Sequence, residues 1–192
     1  MKTKQQELFL EISLVLLFIL TLAFGTIRSP FKYSLSMIGN YFGFMIEFII
    51  WGIATGILIT IFLVKIYKQT KFKNKKSFRF LYASAFFLIL TVITPSFNSG
   101  TTPIKLERIL ENPHAMFGAL FGVFLISSLY LFSKHLSQTN KELSIKTTKL
   151  LLATIGGSIL ILTFFGLTGI FELFFFISVF IILFVLKRES KK

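Results

Sequence analysis

Three side chains in this sequence combine chemical capability with placement in apolar surroundings: His114, Glu47 and Glu172. An ionisable group inside a membrane-length apolar run is a site candidate by default, because its charge is costly to hold in hydrocarbon. One imidazole and two carboxylates at one membrane level could bind a divalent cation or run acid–base chemistry. Each of the three falls on a different expected helix, so no short spacing ties them together. The structural reading of each has precedence: His114 and Glu172 begin spans, where water and headgroups solvate them, and Glu47 is read as protonated and hydrogen-bonded to a neighbouring helix. Signatures of the H-E-x-x-H or G-x-S-x-G kind are missing. No catalytic residue, metal site or cofactor is therefore assigned.

Further polar groups lie near the same end. Ser34, Ser36 and Asn40 precede the second apolar run, and Ser36 is expected to cap the helix that follows. Residues 33–40 are expected to pack as ordered structure against the His114 end of the fourth span, forming a hydrogen-bonded outer rim. Glu47 shares a helical side with Gly43, Trp51 and Ala54, which turns it toward the bundle. Gly39, Gly43, Gly52, Gly56, Gly118 and Gly122 are read as positions where helices approach closely. Glu11 is expected to pair with a cytoplasmic Lys, and His135 to be a solvated histidine in a basic inner loop.

The elements that must hold these groups follow from length and hydropathy. Of the 192 residues 54% are hydrophobic, and mean hydropathy is +0.79, more apolar surface than a water-soluble domain of this size can cover. Runs able to cross a ~30 Å hydrocarbon core need about 20 residues. They fall at about 8–26, 41–65, 80–96, 114–133, 150–165 and 169–186. The pattern predicts an all-α, polytopic bundle of six transmembrane helices in one membrane domain. Two glycines within 166–169 suit a tight reversal between the fifth and sixth runs. The loop 97–113 reads as a short surface helix, with Thr102 as cap, Pro103 in its first turn, and Leu106, Ile109, Leu110 and Pro113 on one face.

Charge orients the bundle. With the N-terminus inside, 17 of the 21 basic residues fall in cytoplasmic segments, leaving Arg28, Lys32, Lys105 and Arg108 outside. Both termini are then cytoplasmic, in a multi-pass protein of the plasma membrane. The net charge of +13 is spread over alternate loops rather than gathered on one face, which argues against nucleic acid as a partner. The basic run 65–79 fixes topology, and it could also hold anionic lipid. Ala23-Phe24-Gly25 has the form of a signal-peptide cleavage site, but Gln5, Gln6, Glu7 and Glu11 make a poor leader, so the first run is expected to be a retained span. Cysteine is absent, which removes disulfides and thiolate chemistry.

The segment Arg28-Ser29-Pro30-Phe31-Lys32-Tyr33-Ser34-Leu35-Ser36-Met37-Ile38-Gly39-Asn40 resembles the Y-x-x-S-x-L-G motif of the domain-of-unknown-function 998 family. Thr94-Pro95 is similar to the family's F-P at the close of the third span, and His114-Ala115 to the H-A that opens its fourth. The resemblance implies a six-helix membrane protein, distantly similar to the Frag/DRAM/Sfk group, and makes Ser34, Ser36, Gly39, Pro95 and His114 the positions to watch. It lends no activity. Where the family often has Asp, this chain has Met37 and residues 96–98, so an acidic site built on those positions in relatives is expected to be lost here. The expectation for function is a non-enzymatic bundle that interacts with membrane lipids, a membrane-protein partner or a second copy of itself. The alternatives are an intramembrane hydrolase acting on lipid at the outer leaflet, which needs His114, Glu47 and Glu172 to converge, and a small transporter.

Overall fold

Hydrocarbon offers no partner to a backbone N–H or C=O, so a spanning segment satisfies its own groups as a helix. The computed structural model describes residues 2–95 and 112–190, and among them it is helical throughout, with six helices long and apolar enough to cross a membrane. In chain order these are α1 (Lys2–Gly25), the short α2 (Leu35–Tyr41), α3 (Met45–Gln69), α4 (Lys75–Ile93), α5 (Pro113–Thr139), α6 (Lys141–Phe165) and α7 (Gly169–Ser190). The expected surface helix in loop 97–113 lies outside the described residues, apart from Asn112 and Pro113, which cap and open α5.

Local chemistry sets the ends. Asn74, Asn112 and Asn140 cap α4, α5 and α6, each accepting backbone N–H groups from the first turn. Gly166 ends α6 at φ +69°, a conformation that costs glycine nothing, and so makes the expected hairpin into α7. The first donors of α7 go to the α1–α2 loop: Gly169 N–H to the Tyr33 carbonyl at 3.0 Å and Ile170 N–H to the Pro30 carbonyl at 2.8 Å.

Three expectations of register are corrected. The second span does not begin at 41. Residues 42–44 interrupt it, with Gly43 at φ +82°, and the chain restarts as α3 at Met45. Gly43 therefore makes a turn, and a Cβ there would meet nothing within 4 Å, so it is not a packing contact. The fourth and fifth spans run through most of the expected inner loop, separated by the single residue Asn140. His135 consequently lies within α5, not in a loop. It is half-buried, with Nε2 3.3 Å from the Thr70 carbonyl and its ring 5.0 Å from that of Phe72.

The long helices form a ring in which each packs on the next: α1, α3, α4, α5, α6, α7, and back to α1, with α7 also touching α3. In lipid this contact is driven by close packing and interhelical hydrogen bonds, since lipid tails are as apolar as leucine. Gly52 and Gly56 do bring α3 against α4: a Cβ at Gly52 would collide with Val92, and one at Gly56 would lie 3.6 Å from the Ala85 carbonyl. Gly39 packs α2 on α3, where a Cβ would sit 2.7 Å from that of Phe48. A buried hydroxyl network joins three helices: Tyr67 Oη and Ser77 Oγ lie 2.9 and 3.0 Å from Ser128 Oγ. Ser133 and Ser144 clasp α5 to α6, each hydroxyl donating to the other's carbonyl. Glu11 of α1 forms an ion pair with Lys187 of α7, as expected for that glutamate.

Candidate functional site

Along one side of α5 the residues are Ala115, Gly118, Ala119 and Gly122, which recur at helical spacing and are all short. Such a stripe cannot fill the space in front of it. A cavity of about 620 Å³ lies there, bounded by α3, α4, α5, α6 and α7, with Leu35 of α2 also on its wall. Gly118 and Gly122 are thus wall positions more than points of tight helix contact: a Cβ would meet Thr91 at 3.7 Å and Phe175 at 3.5 Å, both ordinary distances. Val123, Ile155 and Ile159 line the cavity and are themselves exposed, so it is open to the surroundings between α5 and α6. The wall is overwhelmingly apolar.

His114 and Glu172 both line this cavity. Because α5 and α7 each lie antiparallel to α6, their N-termini share one end of the bundle, which puts both side chains at the same end of the cavity. His114 is 3% exposed, and its Nδ1 lies 2.8 Å from the Thr94 carbonyl. A carbonyl only accepts, so Nδ1 carries the proton, and in the neutral ring Nε2 is left as an acceptor. The Phe48 ring lies 6.4 Å from the imidazole. Glu172 accepts the backbone N–H of Leu35 through Oε2 at 2.5 Å.

Glu47 does not join them. The restart at Met45 puts it in the first turn of α3, exposed and off the cavity wall, whereas a continuous helix from 41 would have set it two turns deep and facing inward. An acidic group there complements the positive end of the helix.

The remaining rim residues organise α2. Ser34, not Ser36, is its cap: Ser34 Oγ accepts from Met37 N–H at 3.1 Å and lies 2.9 Å from Ser36 Oγ. Asn40 donates from Nδ2 to the Ser36 carbonyl at 2.8 Å. Residues 33–40 are ordered as expected, but the partner they meet is Glu172, while His114 is held by the end of α4. Two helix starts thereby satisfy each other, since Glu172 takes the first N–H of α2 while Tyr33 and Pro30 take the first N–H groups of α7. Gly169 is required at this crossing, because a Cβ would run into the Tyr33 carbonyl.

Sequence reasoning missed the deeper polar lining. Ser127 of α5 and Thr154 and Ser158 of α6 stand on the same wall, and Ser158 Oγ is buried with no hydrogen-bond partner. The available signal was a pair of hydroxyls in an otherwise apolar stretch of α6. No group of three or more His, Asp or Glu residues able to hold a metal occurs among the described residues.

In comparison with known proteins, no family model, no curated protein and no solved structure matches this chain.

Proposed function

We propose that this chain is a multi-pass plasma-membrane protein, with both termini cytoplasmic, that receives a lipid sideways from the bilayer into the cavity and does no chemistry on it. The observation that carries this reading is the cavity itself: apolar, laterally open between α5 and α6, and polar at one end where His114 and Glu172 stand. Its size falls within the ~300–1,000 Å³ typical of small-ligand sites. The orientation rests on the 17 basic residues assigned to alternate loops. A hydrolase built on His114, Glu47 and Glu172 is disfavoured by the outward position of Glu47. The segment 33–39, whose motif resembles that of the domain-of-unknown-function 998 family, would act on this reading as a collar over the polar end, holding Glu172 through Leu35.

The test is native mass spectrometry of the protein released from detergent, with the bound lipid identified. The wild type should retain a lipid adduct, and Gly122→Leu or Ala119→Phe, which fill the cavity, should lose it. An adduct kept in full by both filled variants would place the lipid elsewhere and end this reading.

A further inference from the structure

We infer that the lipid held in the cavity presents a primary ammonium group to Glu172, at the head of an extended apolar chain. This rests on the lipid-binding reading above and names the chemistry that selects the ligand. A hydrocarbon chain passing from the bilayer into an apolar cavity exchanges one apolar environment for another, so it gains no hydrophobic transfer energy. Selection among lipids must therefore come from the polar end.

The groups at that end ask for donors. Among the described residues, Glu172 is the one carboxylate on the wall, and no Lys or Arg stands there. Its hydrogen bond from Leu35 occupies Oε2, while a carboxylate offers about four acceptor sites over its two oxygens. A charge in such surroundings is retained where a counter-charge meets it. The described wall residues supply none, and on this inference the ligand brings it. His114, with Nδ1 committed to Thr94, offers Nε2 as a second acceptor in its neutral form. An ammonium has three donors and no acceptor, which suits both groups. A carboxylate or phosphate head at the same place would meet Glu172 as a like charge.

The shape fits a chain. From His114 to Ser127 the cavity follows α5 for 13 residues, roughly 20 Å at the helical rise. A volume of 620 Å³ over that length gives a mean cross-section of about 30 Å², an elongated space. The lateral opening at Val123 and Ile159 lets such a chain enter from the side.

The experiment uses three photoactivatable long-chain probes of equal length, a primary amine, an alcohol and a carboxylic acid, added to the full chain in phosphatidylcholine nanodiscs. Labelled peptides are mapped by mass spectrometry. The amine should label α5 and α6 cavity segments roughly tenfold more than the acid, a ratio within reach of one charge-assisted hydrogen bond. Glu172→Gln keeps an acceptor for Leu35 N–H but removes the charge. It should abolish the amine's advantage over the acid. Equal labelling by all three probes, a preference for the acid, or an amine preference that survives Glu172→Gln would overturn the inference and leave the lipid-binding reading standing. If no probe labels the cavity segments, the lipid-binding reading falls and this inference with it.

Discussion

The Glu172 carboxylate accepts the backbone N–H of Leu35 at 2.5 Å, joining the first turn of α7 to the first residue of α2 across 137 positions of sequence. Three and two residues earlier in the same crossing, Gly169 and Ile170 donate in return to the carbonyls of Tyr33 and Pro30. Each helix start supplies what the other lacks, which is why α2 stays ordered although it has only seven residues.

Glu172→Ala should therefore destabilise the protein, by about 1–3 kcal/mol, because Leu35 N–H is left buried without an acceptor. Glu172→Gln should keep most of that stability. Thermal unfolding in detergent, followed by circular dichroism, separates the two. Equal losses for both variants would mean that the charge and not the hydrogen bond holds the crossing.

His114→Ala should cost a similar ~1–3 kcal/mol, since the Thr94 carbonyl at the end of α4 loses its partner. The loss appears as a lower unfolding temperature whether or not lipid is bound. An unchanged unfolding temperature in lipid-free protein would show that the bond contributes nothing to the fold.

The glycines on α3 and α5 should respond differently. Gly52→Ala puts a methyl into Val92 and should destabilise by ~1–3 kcal/mol. Gly122→Ala adds a methyl at an ordinary contact distance from Phe175 and should change stability by less than about 1 kcal/mol, the helix propensity of Ala offsetting any strain. Unfolding temperatures of the two variants compared side by side decide this.

The chain has no cysteine, so single cysteines report topology without background. Asn74→Cys, between α3 and α4, should be shielded from an impermeant thiol reagent in intact cells. Ser29→Cys, exposed in the α1–α2 loop, should react. Labelling of Asn74→Cys from outside would invert the orientation.

Tyr67→Phe removes one hydroxyl from the buried network with Ser77 and Ser128. Interhelical hydrogen bonds within a membrane average about 0.6 kcal/mol and reach ~1.7. The expected cost lies in that range, and a Tyr67→Phe, Ser128→Ala double-mutant cycle should show coupling between the two. Strict additivity would place Tyr67 outside the network.

The all-helical architecture, its six membrane-length helices and the reversal at 166–169 were legible in the sequence alone. So was the pairing of Glu11 with a lysine, which the structure identifies as Lys187. These follow from local rules: hydrocarbon demands helices of a certain length, and glycine pairs mark reversals. The tertiary structure decided which way each helix faces. A soluble helix announces its buried side by hydrophobic periodicity, but a span is apolar all round, so the exposed Val123 and the buried Leu125 look alike in sequence. For the same reason the break at 42–44 rotated Glu47 out of the expected cluster, and the short side chains of Ala115, Gly118, Ala119 and Gly122 became a cavity wall instead of a seam. Glu172 and Leu35 meet only because α7 closes the ring against α1 and α3, a contact between distant segments that no local pattern encodes.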